Sequence, residues 1–414
     1  MIRITTLLLI ITCFLGGCAQ KAGNYVFENA DSVKIDESKV VLTKFPSALK
    51  LINDSVAAAI NSAQKLSLYN INDGKNFANF SSEKINFDSL IKQTFSKKYA
   101  GKRTYIYDRS SAAGLSDGNC QMLSFDFSDG LFYLYVNTLV QVEYVNDSAE
   151  LRKFFEKEKV KEMRKENADA TVQIMQYLEF IFVIDPQLKL KEIIPLYERS
   201  DLKEKKYTAY YQKGIAINAG KLFVPILKDD QTFDKITSPL KWSTGLYTLT
   251  TLDLKDNEKT DYKLSYNDIS FKEYSLHNYF GASFIFKHSS DGLLFSNGKE
   301  ICNVETALKI FEKQHLKANE WIQNFHYLSN KKMVLITYTL DKKVKPTELE
   351  INYGVDSLSG VKIKIFDTEK SGWSVEKVLP ANTTLTYVTT DKKIISFGKD
   401  KEHYYFKSIR FNEN

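Results

Sequence analysis

The sequence predicts an all-β fold, a β-propeller of six blades with helical insertions. Three observations carry that expectation. An alternating apolar run, a tight turn and a second apolar run recur in six units. The units are spaced roughly 50 to 80 residues apart. No Pro/Gly/Ser-rich linker separates them. Four short antiparallel strands per unit, arranged radially, leave only short and protected sheet edges. The spacing exceeds the ~40–45 residues of a compact blade, so insertions are required. The same grammar also fits seven blades or two β-sandwich domains.

Taken in order, the first unit is 49–80, where Leu49 and Leu51, then Val56, Ala58 and Ile60, then Leu66 and Leu68 alternate, and Asp73-Gly74 suits a hairpin turn. The segment 122–136 turns at Asp129-Gly130, and 214–227 turns at Ala219-Gly220. The segment 283–302 contains Asp291-Gly292 and Asn297-Gly298; 325–340 and 384–397 complete the series. The paired runs 178–194 and 361–379 fall between as second hairpins. Propellers close when one chain end lends a strand to a blade built by the other. Residues 32–43 and 403–411 are strand-like and pair in one composite blade; the alternative is that 32–43 is a plain tether strand.

Helical spacing interrupts the β pattern at 147–169, where Asp147 and Glu150 form a capping-box pattern and Lys153, Lys157, Lys161 and Lys165 recur at i,i+4. Leu151, Phe154 and Phe155 make only a small apolar face, so the helix reads as an insertion protruding from a blade. A second helix is expected over 87–99, with Phe87, Leu90, Ile91 and Phe95 on one face. A third stretch, 303–322, has helical spacing but competes with blade strands.

The chain has 414 residues, 43% hydrophobic and 26% charged, which marks it as globular. Its 57 basic and 51 acidic residues nearly balance and form no long basic block, which argues against nucleic-acid binding. Arginine is scarce, so forked guanidinium clamps for phosphates or carboxylates are not expected.

The N-terminus has its own signature. Arg3, the apolar run from Leu7 to Leu15 and the small residues Gly16 and Gly17 describe a secretory signal too short to span a bilayer. Leu15-Gly16-Gly17-Cys18 resembles the lipobox of bacterial lipoproteins. That resemblance implies cleavage before Cys18 and acylation of its thiol and new amino group. It divides the chain into a signal peptide at 1–17, a lipidated tether at 18–31 and the propeller at 32–414. Two or more acyl chains anchor a protein stably. Ala19 follows the cysteine, where an Asp would resemble an inner-membrane retention signal; the outer membrane is therefore expected, with the periplasmic or surface-exposed face left open. Cys120 and Cys302 remain and are expected as buried thiols rather than a disulfide.

The hairpin repeats and the lipobox together resemble the uncharacterised TolB-like six-bladed propeller lipoproteins of Gram-negative bacteria, over most of residues 35–414.

Chemical motifs are few. Gly114-Leu115-Ser116-Asp117-Gly118 matches the nucleophile-elbow pattern, but a strand-like run follows it where a helix is required. His277, His288, His315, His326 and His403 show no metal-ligand spacing and read as packed or surface residues. No phosphate-cradling glycine loop is present in the sequence, and no cofactor is expected. Sialidases share the architecture, but residues 289–295 are off the Asp-box pattern and lack its Trp. Tyr404–Phe406 are expected in the core, whereas Tyr207, Tyr210 and Tyr211 lie in a lysine-rich, loop-like context. These three tyrosines, with Lys153 and Lys157, are the candidate partner contact; the competing reading makes the helix a solvated spacer. The expected function is a lipid-anchored binding or scaffolding module meeting an envelope protein or glycan. The alternative is an envelope glycan hydrolase or lyase with its site at the propeller funnel, where carboxylates or histidines would converge.

Overall fold

The structure is a computed structural model. It describes residues 25–27, 31–36, 48–61, 64–94, 103–106, 120–145, 157–166, 171–196, 207–208, 215–228, 246–255, 259–262, 285–289, 292–296, 298–306, 308–329, 332–340, 358–378, 383–388, 393–399 and 403–413. Cys18, Lys153, Tyr210, Tyr211, Gly114–Gly118 and the apolar positions 151, 154 and 155 lie outside them.

The described residues are mostly β. Strands β1 (Tyr25–Phe27) and β2 (Asp31–Lys34) come first. The first sheet holds β3 (Ala48–Asn53), β4 (Val56–Ile60), β5 (Lys65–Asn70) and β6 (Asn76–Ser81). The second holds β7 (Arg103–Ile106), β8 (Gln121–Ser128), β9 (Leu131–Val145), β10 (Thr171–Ile184) and β11 (Leu190–Leu196). The third holds β12 (Tyr207–Thr208), β13 (Ala216–Asn218), β14 (Lys221–Lys228), β15 (Leu246–Asp253) and β16 (Lys259–Tyr262). The fourth is β17 (Ile285–Ser289), β18 (Gly292–Ser296), β19 (Ile301–Asn303) and β20 (Lys309–Phe311). The fifth is β21 (Glu320–Ser329), β22 (Lys332–Leu340), β23 (Leu358–Asp367) and β24 (Gly372–Val378). The last is β25 (Thr383–Val388), β26 (Lys393–Lys399) and β27 (Tyr404–Glu413), joined by β1 and β2.

The expected hairpins form, and their turns show why these residues sit there. Asp129 (φ 53°) with Gly130 (φ 74°), and Ala219 (φ 49°) with Gly220 (φ 74°), take the left-handed pairs that two-residue hairpins require. The stretch 303–322 is not a helix. It carries β20, a short 3-10 turn at Lys313–His315 and the start of β21, because its apolar residues are drawn into sheet packing.

Core clusters lie between successive sheets. Phe80, Phe125, Phe180 and Phe182 pack the first sheet on the second. Leu123, Tyr135, Ile181, Ile215 and Leu222 pack the second on the third. Leu294, Phe311, Phe325 and Phe366 join the fourth and fifth, and Tyr69, Phe397, Tyr404 and Phe406 join the last to the first. Alternate residues of one strand therefore serve opposite interfaces: Phe180 and Phe182 face one neighbour and Ile181 the other. A sheet buried on both faces reads as a nearly continuous apolar run. This serial face-to-face packing, with the last sheet returning to the first, is a β-propeller arrangement.

Closure comes from the N-terminal strands. In β2, Asp31 to Lys34 pair with Ser408 to Tyr405, and in β1, Tyr25 to Phe27 pair with Glu413 to Phe411. Pairing thus starts at residue 25, inside the span 18–31 that the sequence assigns to a tether. Beyond β2 the Ile35 N–H donates to Tyr404 O, and the Asp36 N–H to Gly74 O. A Cβ on Gly74 would lie 2.0 Å from Lys34 O, so only glycine permits this crossing.

Helices are few. Phe87–Thr94 is one, started by Asn86 Oδ1 accepting from the Ser89 N–H, with Phe87 and Ile91 buried. The other described helix is Lys157–Glu166, within the expected 147–169. It lies between β9 and β10, which run on together well past β8, and its Val160 is 1% exposed in the core between the first two sheets. That anchor was not apparent from the apolar face read in the sequence.

Candidate functional site

The first long strands of five neighbouring sheet pairs approach one another: β3 meets β8, β8 meets β13, β17 meets β21, β21 meets β25, and β25 returns to β3. The Asn218 amide donates to Glu305 Oε1 at 3.3 Å, bridging the third sheet to the fourth. These strands surround the ring's axis, and charged side chains interrupt their apolar runs there.

Asp126 of β8 is the hub. The Lys50 ammonium of β3 donates to its Oδ1 at 2.8 Å. The Ile217 N–H of β13 donates to Oδ2 at 2.7 Å, and His288 Nε2 of β17 lies 3.3 Å from the same oxygen. Lys50 also donates to Ile215 O at 3.4 Å. Four sheets thus converge on one carboxylate. Asp126 lies near the 129–130 turn, whereas the long extension of β9 and β10 rises from the Gln121 end of β8, about 16 Å away at ~3.3 Å per residue.

Burial alone would push the Asp126 carboxyl up, but the charge of Lys50 and the hydrogen bonds from His288, Lys50 and Ile217 hold it well below the usual carboxylate range. Lys287, beside His288, behaves oppositely. Burial and the like charge of Lys50 lower its ammonium to about 8, and Asp126 offsets this only in part. Its side chain is half-buried by exposed area, yet protein surrounds the ammonium on most sides, which is what governs its desolvation. On β21, burial and the charge of Lys287 push the His326 ring down to about 4. The cluster is an ionised carboxylate bound by Lys50 and His288, with one further amine, Lys287, and one imidazole, His326, whose surroundings oppose positive charge.

Of the histidines read as packed or surface residues, His288 and His326 belong to this cluster. His315 packs against Phe366 with ring centres 4.9 Å apart, and His403 lies beside Tyr405. Tyr404 and Phe406 are buried as expected. Lys157 is exposed at the start of its helix, Tyr207 belongs to the short edge strand β12, and the structure brings neither to the cluster. Cys120 and Cys302 are buried in different sheets and form no disulfide. Among the described residues, no group of three His, Cys, Asp or Glu side chains is placed to hold a metal ion, and no helix is long and apolar enough to cross a membrane.

Lys50, Asp126 and Lys287 carried a signal that motif reading passes over. Each is a charged residue inside an apolar first strand: Leu49-Lys50-Leu51, Phe125-Asp126-Phe127, Phe286-Lys287-His288.

No protein-family model matches the chain, and no curated protein matches it. Among solved structures it is similar to a member of the DUF4221 family from Bacteroides vulgatus, at 9% identity over 94% of this chain and 99% of that one, with a TM-score of 0.48. It is also similar to the Neurospora crassa Pan2 WD40 domain, at 8% identity over 92% and 95%, with a TM-score of 0.41. The WD40 propeller domain of Doa1 aligns at 9% identity over 94% and 98%, with a TM-score of 0.36.

Proposed function

We propose that this chain is a lipid-anchored protein of the cell envelope, similar to the TolB-like propeller lipoproteins, and that it works as a binding or scaffolding module. Each of its six sheets is one blade in this reading. The observation that carries the binding role is the convergence of Lys50, Asp126, Lys287, His288 and His326 on the axis of a closed, rigid ring. Loops and strand ends on such a scaffold are where function concentrates.

Leu15-Gly16-Gly17-Cys18 supports the anchor, and Ala19 supports the outer membrane. From Cys18 to Tyr25, where pairing begins, is seven residues. An extended chain of that length spans about 25 Å at most, so an acylated Cys18 holds the rim of the ring close to the bilayer. The hydrolase alternative is less favoured. Paired-carboxylate glycoside hydrolysis needs one acid kept protonated, and Asp126, the carboxylate of this cluster, is held ionised. The Lys157–Glu166 helix, with Lys153 and the Tyr207, Tyr210 and Tyr211 segment, is the proposed second contact surface. Its exposed pairs Lys161–Glu158 and Lys159–Glu162 leave the lysine face open to solvent.

Membrane fractionation tests the anchor. Cys18→Ala is expected to move the chain into the soluble fraction or leave it uncleaved. Unchanged detergent partitioning of that variant overturns the lipoprotein reading.

A further inference from the structure

The axial cluster also indicates what kind of ligand the ring takes, an inference that rests on the binding reading above. We propose that Lys50, Lys287, His288 and His326 form a binding site for a small anion bearing a carboxylate or phosphate group, with Asp126 acting as the residue that positions Lys50.

The geometry supplies the donors. Lys50 commits two of its three N–H groups, one to Asp126 Oδ1 and one to Ile215 O, which fixes the ammonium and leaves a third donor. His288 is held by Asp126 Oδ2, yet its side chain is 40% exposed. Lys287 precedes it on the same strand, and His326 lies on the first strand of the next sheet, close enough to Lys287 to sense its charge. The groups come from the first, fourth and fifth sheets, so a ligand would bridge β3 to the adjoining pair β17 and β21.

The electrostatics give the sign of the ligand. Lys50 disfavours the charge of Lys287, and Lys287 in turn disfavours protonation of His326. Asp126 relieves Lys287 only partly, since Lys50 and His288 already engage it. Whatever else these side chains touch, the net result is an ammonium and an imidazole both lowered by their surroundings. An added anion reverses that balance and draws protons onto both. Among the described residues, the charged and titratable groups at the site are Lys50 of β3, Asp126 of β8, Tyr133 of β9, Lys287 and His288 of β17, and His326 of β21. Lysines act as point charges that suit either oxygen anion, so carboxylate and phosphate are one class here.

Calorimetry on the full-length chain in detergent micelles at pH 8 tests this. The probes are inorganic phosphate, citrate and galacturonate, with galactose as the uncharged comparison. At least one anion is expected to bind one to one, galactose is not, and the heat in two buffers of different ionisation enthalpy should show proton uptake. Phosphate binding alone marks a phosphate site; citrate or galacturonate binding marks a carboxylate site. Lys287→Met should weaken the bound anion about tenfold or more without lowering the melting temperature, because it removes a half-buried charge. Lys370→Met, on an exposed turn, should bind as the parent does. Absence of binding by all three anions, equal binding of galactose, or affinity in Lys287→Met within about twofold of the parent overturns the proposal. None of these results bears on membrane anchoring, which Cys18→Ala decides separately.

Discussion

The fifth sheet and the ring's axis hold two charged clusters made from similar residues, in opposite states. In the fifth sheet, Lys364 and Glu320 are 5% and 3% exposed at the side chain and lie 2.5 Å apart. Thr337 Oγ1 donates to Glu320 Oε1 at 2.8 Å, the Lys317 N–H donates to Oε2 at 3.2 Å, and Lys364 Nζ sits 4.7 Å from the Trp373 ring centre. Burial raises the Glu320 carboxyl, but Lys364 and the other donors lower it overall. At the axis, one carboxylate meets Lys50, Lys287 and His288, and both Lys287 and His326 are driven toward their neutral forms. A buried network whose charges match is a structural device. One whose cations are disfavoured favours an added opposite charge. The difference separates scaffold from site without any catalytic motif.

The largest test of this contrast is a pair of matched substitutions. Lys364→Met strands the Glu320 carboxylate in the interior and should cost ~3–5 kcal/mol in chemical denaturation. The same change at Lys287 should be neutral or stabilising. If both variants lose stability equally, the two clusters are alike and the distinction fails.

Acid titration gives a smaller effect. His326 has a folded value of about 4 against ~6.5 for an unfolded chain, so between those values the unfolded state binds more protons. Stability associated with this ring is complete above pH ~6.5 and is lost as pH falls towards 4, by about 1–3 kcal/mol. Asp126, whose carboxyl is lowered, adds a loss that begins below pH ~4. His326→Gln should flatten the first limb alone, as read from denaturant midpoints across pH 4 to 7. An unchanged slope in that variant would place the proton elsewhere.

The smallest effect sharpens the edge of the structural network. Lys362 pairs with Glu376, whose side chain is 44% exposed, so Lys362→Met should cost under ~1 kcal/mol. A cost as large as that of Lys364→Met would mean that the whole fifth-sheet network acts as one unit, measurable by a double-mutant cycle.

Much of the scaffold was legible in the chain. Asp129-Gly130 and Ala219-Gly220 sit in left-handed turns that join adjacent strands, and the composite pairing of N- and C-terminal segments appears between Asp31–Lys34 and Tyr405–Ser408. These features follow from local rules: strand alternation, turn chemistry and the need to cover an edge. The 303–322 segment misled because a strand buried on both faces has apolar residues at every spacing, including helical ones. The 147–169 stretch misled in the other direction: its polar composition suggests a free appendage, whereas within the described helix Lys157–Glu166, Val160 is buried.

By itself, then, the sequence determined the all-β class and the hairpins, since each depends on residues within a few positions of one another. Only the tertiary structure decided that Lys50, Asp126, Lys287, His288 and His326 meet. They are separated by up to 276 residues, from Lys50 to His326, and join only when the ring closes and brings first strands to a common axis. Charge in a strand is ambiguous in sequence because exposure and burial at an axis leave the same mark, a polar residue among apolar ones. The meaning of such a residue is set by which distant strands surround it and by how strongly that low-dielectric setting favours or opposes its charge.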